Sequence, residues 1–136
     1  MPVPSSFDYA IVRVVPRVER GEFINAGVIV FCLEHRFLGA RVRVDEARLR
    51  ALWPELDIEL VRKHLEAIPK ICAGDESAGP IARLSQRERF HWLVSPRSTM
   101  IQVSPVHSGI CEGSDQSPAQ ILEQLAGRLL GQVRSR

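Results

Sequence analysis

The order of patterns along the chain predicts an α+β fold. It would be an antiparallel sheet, an N-terminal three-stranded meander plus a later strand pair, packed by two or three helices and a C-terminal helix. Three observations carry this. Runs rich in β-branched and aromatic residues follow one another between Phe7 and Val44, joined by short turn-forming links. Two capped segments of helical period come next. A short apolar stretch on either side of Pro105 then precedes a segment with complete helix start and stop signals. Strands and helices are segregated rather than alternating, which counts against a doubly wound parallel sheet.

The first strand, Phe7 to Val15 (FDYAIVRVV), is apolar on both faces, carries Arg13, and is closed by Pro16. The next, Phe23 to Leu33 (FINAGVIVFCL), is the longer apolar run and is expected in the middle of the sheet. Between them RVERGE, with Gly21, supplies a hairpin turn. Asn25 and Gly27 share a face of the second strand, and Gly27 marks either room for a packed helix or a close ligand contact. Phe37 to Val44 alternates, with Leu38, Ala40, Val42 and Val44 opposite Arg41 and Arg43, as in a half-solvated strand near an edge.

Asp45 caps DEARLRALW, which Pro54 stops, and Asp57 caps a second helix. Val61, Leu65, Ile68 and Cys72 keep burial spacing on that helix, and Pro69 predicts a kink or an early end. Residues 72–80 form a loop and Pro80 to Leu84 one helical turn. Ser85 and Glu88 have capping-box spacing. Thr99 to Ser104 is a strand, with Val106 to Cys111 as an extended return; paired as a hairpin, they would place Thr99 opposite Cys111. Ser117, Pro118 and Gln120 start the last helix, Ile121, Leu122, Leu125, Leu129 and Leu130 are its buried stripe, and Gly131 ends it.

Composition sets bounds. At 136 residues, residues 1–136 are one domain of common size, with the 45% apolar and 25% charged content of an ordinary globular protein. No apolar run approaches the ~20 residues that span a bilayer, so no membrane association is expected. The start, MPVPSSFDYA, lacks the features of a signal peptide, and a cytoplasmic location follows as the default. Cys32, Cys72 and Cys111 lie far apart without a CxxC pair, which argues against a disulfide framework and a zinc site; no metal and no cofactor is expected. A net charge of +2 does not by itself imply a polyanionic partner.

Arginine dominates the basic residues, the only lysines being Lys63 and Lys70. Either base composition or bidentate anion recognition explains that bias. The chain has no GxxxxGKS or GxGxxG loop, no HExxH and no GxSxG elbow. What remains is a polar constellation between Ser85 and Cys111. Arg97, Ser98 and Thr99 follow Pro96, where a guanidinium and two hydroxyls could hold an anion. His107 is the candidate general acid/base and Glu88 the candidate that orients it. Both also have structural readings, Glu88 as the capping-box acid and His107 as a donor to a backbone carbonyl. Phe90 and Trp92 interleave with Arg87, Arg89 and Arg97, part of a stacking platform for nucleic acid, though as core anchors they need no ligand.

YAIVRVVPRVERGEFINAGVIVFC (Tyr9 to Cys32) and RFHWLVSPRSTMIQVSPVHSGIC (Arg89 to Cys111) resemble the two signature blocks of domain-of-unknown-function family 3037. The similarity runs over nearly the whole chain, and it implies a bacterial origin. By gene neighbourhood the family's members look like companions of HipA-like kinase proteins, which implies a small accessory or interaction subunit. The family's characteristic polar positions fall here on Arg13, Glu19, Arg20, Gly21, Glu22, Asn25, Gly27, Arg89, Arg97, Ser98, Thr99, His107 and Gly109. The resemblance brings no reaction with it. The expectation is therefore an accessory module for a protein partner, with Arg13, Asn25, Arg89, Arg97, Ser98 and Thr99 as binding candidates. The alternatives are a small enzyme or sensor for a phosphorylated ligand and, less favoured, a nucleic-acid-binding module. A further expectation is that the first hairpin turn and the second block converge, gathering Asn25, Arg97, Ser98 and His107 in one pocket.

Overall fold

The structure, a computed structural model, describes residues 5–96, 99–111 and 117–131; the side chain of Cys111 is not among what is described. Its strands are β1 (Ser5–Val14), β2 (Ile24–Cys32), β3 (Phe37–Val42), β4 (Ile101–Val103) and β5 (His107–Cys111). Its helices are α1 (Glu46–Leu52), α2 (Ile58–Ala73), α3 (Gln86–Val94) and α4 (Pro118–Leu130). The five strands form one antiparallel sheet in the order β3-β2-β1-β4, with β5 also on β1. The α+β class, the meander, β2 in the middle and β3 at an edge are all found where sequence patterning placed them. No helix among the described residues is long and apolar enough to cross a membrane.

Period-two patterning assigns the two sheet faces. Val12, Val14, Ile29, Phe31, Leu38 and Ala40 pack with Leu49 of α1, Val61, Leu65 and Ile68 of α2, and Phe90 and Leu93 of α3. Val28 and Val30 point the other way, against Leu122 of α4. That helix is seated on β2 and β3. Arg41 and Arg43, on the more solvated side of the strand, fasten it there: Arg41 pairs with Glu123 and Arg43 donates to the Leu130 carbonyl.

Both halves of the later strand pair exist, but they do not form a hairpin. β4 runs along Val12–Val14 and β5 continues in the same direction along Ser5–Tyr9, so the two lie end to end on one edge of β1. Thr99 and Cys111 are therefore at opposite ends. Between Val12↔Val103 and Tyr9↔His107 the outer chain has one residue more than β1, a local bulge. Pro105 sits in this bulge, where its missing N–H costs no ladder bond. Buried Ser104 closes the gap, accepting from the Ile11 N–H at 2.9 Å and donating to the Pro105 carbonyl at 2.9 Å.

Gly27 lies at a second irregularity, where the β1–β2 register shifts between Val12 and Arg13. A Cβ there would sit 3.1 Å from the Arg41 carbonyl, the Val12 Cβ and the Val42 Cγ1. The crowding thus comes from the two flanking strands, not from a packed helix. Pro69 neither ends α2 nor shortens it; the helix continues to Ala73, and left-handed Gly74 caps it. One missing backbone bond is outweighed by Ile71 and Cys72, whose burial contributes roughly 1.5–3 kcal/mol for a large side chain. The loop after α2 contains two 3-10 turns, Glu76–Ala78 and Pro80–Arg83.

Candidate functional site

Glu88 and His107 lie on opposite sides of the sheet. Glu88 belongs to α3, whose Phe90 stacks on Phe31 at 5.1 Å within the core under the first face. Its carboxylate completes the capping box, accepting from the Ser85 N–H at 3.2 Å and the Ser85 hydroxyl at 2.9 Å. His107 is exposed on the second face, its ring 5.2 Å from that of Tyr9. With the sheet between them, Glu88 does not orient His107, although the two are close in sequence. The backbone of Cys111 is four extended residues from His107, about 13 Å away, so these two form no catalytic pair either.

Arg89, a binding candidate, is occupied inside the fold. It donates from Nε to the Leu84 carbonyl at 2.9 Å, and from Nη1 to the Ile71 and Cys72 carbonyls at 2.8 and 2.7 Å. It thus satisfies the last-turn carbonyls of α2 and ties α3 to them. Thr99 donates to the Ile101 carbonyl at 2.9 Å, shaping the entry to β4. It also borders a cavity of about 360 Å³ between α2, α3 and β4, apolar apart from His64, Trp92 and Thr99. Arg97 and Ser98 lie outside the described residues.

Arg13 and Asn25 are brought together. They are cross-strand partners on β1 and β2, and Gln102 of β4 is opposite Arg13 on its other side. The Arg13 guanidinium lies over the Phe23 ring, 4.4 Å from its centroid. Both the Arg13 Nε and the Asn25 Oδ1 are buried without a hydrogen-bond partner among the described residues. A buried donor and acceptor in that state cost roughly 1–3 kcal/mol each until a water or a bound group supplies the missing partner. Gln102 has turned its amide to the Thr99 carbonyl at 2.9 Å.

The expected single pocket resolves into two stations on one surface. His107 is opposite Tyr9, four residues before Arg13 along β1, so about 13 Å separates the two clusters. Along this stretch of β1, Phe7, Tyr9, Ile11 and Arg13 line the same face, each only part-buried, because α4 is seated over β2 and β3. The Phe7 ring covers Gly109, where a Cβ would meet it at 2.5 Å, so this aromatic depends on glycine opposite. The sequence signal for this surface is the odd-numbered half of FDYAIVR, which carries both aromatics and the arginine, Asp8 belonging to the other half. Without the position of α4, that half looks no different from the buried one.

This arrangement can bind but, among the described residues, supplies no paired acid and base. Among the described residues no group of three or more His, Cys, Asp or Glu side chains gathers as a metal site. Buried Cys72 is far from reactive, since desolvation pushes its thiol from an ordinary 9.0 up to about 12, opposed only in part by Arg89. A pKa raised on folding favours the protonated native state. Stability from this source is thus complete below pH ~9 and lost as pH rises toward ~12, at up to about 1.4 kcal/mol per pH unit. Alkaline denaturation midpoints in that window should fall less steeply for Cys72→Ala than for the parent chain.

The family model described as protein of unknown function (DUF3037) matches residues 9–129. No curated protein matches the chain, and no solved structure does.

Proposed function

The chain belongs to the DUF3037 family, and on that premise we propose that it is a noncatalytic accessory module that docks a protein partner through the bare side of β1. The observation that carries this reading is the continuous surface formed by Phe7, Tyr9, Ile11, Arg13 and His107, with half-exposed Phe23 at its end. Aromatic side chains and arginine amid few other charges are the composition of a protein-binding patch. Arg13 stacked on Phe23 supplies a rigid anchor with an unspent donor, beside the unspent acceptor of Asn25. The gene-neighbourhood resemblance makes a HipA-like kinase the partner class to try first. A phosphorylated ligand or a nucleic acid fits less well, since the stations offer one described arginine rather than a basic stripe.

Native mass spectrometry of the tagged chain, purified from its host with the 260/280 nm ratio recorded, tests the reading. A stoichiometric protein should accompany the parent chain and be lost from Phe23→Ala/His107→Ala. Both positions are exposed, so that variant should keep its melting temperature. A small phosphorylated ligand, or nucleic acid that survives moderate salt, would replace this proposal with one of its alternatives.

A further inference from the structure

The outer edge of β3, unpaired among the described residues, opens onto a groove of about 740 Å³. Its lining combines Leu38 and Ala40 from one sheet face with Phe37, Gly39 and Arg41 from the other. Pro69, Cys72 and Ala73 of α2 form one wall, and α4 from Ala119 to Gln124 forms the other. A space touching both faces and the helices on both sides of a sheet can lie only at the sheet's edge.

The backbone pattern of that edge follows from the ladder. The Arg43 N–H donates to the Ala26 carbonyl at 2.8 Å, opposite it in the β2–β3 register. Hydrogen-bonded and non-bonded pairs alternate in an antiparallel ladder, so Arg41, Gly39 and Phe37 also turn toward β2. Leu38 and Ala40 therefore present their N–H and C=O groups to the groove. An edge left in this state is a template for another strand.

We propose that this groove binds an extended segment of a partner protein by strand addition, as an extra strand outside β3. Two features choose this occupant over a second copy of the chain. The edge is six residues long, about 20 Å, enough for a ladder with one added strand but a small part of the ~1,200–2,000 Å² that a stable interface between folded proteins buries. The only charged residues of the lining, Arg41 and Glu123, are paired with each other. The residues that enter are accordingly uncharged, and small or apolar at alternate positions, to meet Pro69 and Ala73 of one wall and Ala119 and Leu122 of the other. The groove is separated from the bare side of β1 by the width of β2, so each surface stands or falls by its own variants.

The test is selection of displayed random linear peptides on the full chain, followed by amide hydrogen exchange on the complex. Enriched peptides should slow exchange at Leu38 and Ala40. They should bind at least about tenfold more weakly to Ala73→Trp and Ala119→Trp, which place bulk in the groove from exposed positions on each wall. Failure to enrich any peptide would overturn the proposal. So would peptides protecting only β1 and β5, or protection of the β3 amides that rises with protein concentration and no peptide, which would mean pairing with a second copy.

Discussion

Arg89→Ala should lower the unfolding free energy by about 3 kcal/mol, read from the urea midpoint at unchanged slope. The substitution removes three charge-assisted hydrogen bonds at once. It also takes the guanidinium donor from the Cys72 carbonyl, at the end of a helix packed in the core, and leaves the Ile71 carbonyl only the Gly74 N–H. Arg89→Lys should restore less than half of the loss. A single ammonium cannot reproduce the fork that reaches Leu84 from Nε and α2 from Nη1. Loss of partner binding at parental stability would instead return Arg89 to the binding surface where its sequence block first put it.

The second large effect is expected at Ser104. Ser104→Ala strips the Ile11 N–H of its side-chain acceptor inside a nearly closed site, at a cost of about 2 kcal/mol. The loss should be local as well as global, with faster amide exchange where β4 gives way to β5, since this hydroxyl bridges the extra residue in the ladder. Ser108→Ala is the matched control. Its hydroxyl donates to Asp8 Oδ1 at 2.7 Å, but at the surface, where water replaces the partner and the expected change is within about 0.5 kcal/mol. Equal losses in the two variants would remove the special role assigned to Ser104.

These two residues show where sequence reasoning stopped. Arg89 was visible as a charged residue in a polar block, yet its acceptors lie 17 and 18 positions away, across the α2–α3 loop. Ser104 was legible only as the end of a strand, because its partner is 93 residues distant. Pro105 between two apolar runs suggested a turn. The chain instead passes straight through it, since β1 is long enough to pair with both runs in succession. Glu88 went the other way: its capping-box spacing was plain, and that local role uses the carboxylate a catalytic reading would need.

What the sequence determined by itself is whatever depends on neighbours a few residues away. Asp45, Asp57, Ser85 and Ser117 cap the helices they precede, period-two and helical patterns mark what is buried, and β2 is central because both its faces are apolar. Those features follow from backbone hydrogen bonds and burial over one or two turns of chain. Only the tertiary structure decided which side of the sheet each polar residue faces and which edges stay open. It put Glu88 and His107 on opposite faces, set Arg13 beside Asn25, and left the edge of β3 free between α2 and α4. The physical reason is that strand order and helix seating are fixed by contacts between distant segments, and local patterning carries no record of the distance between them.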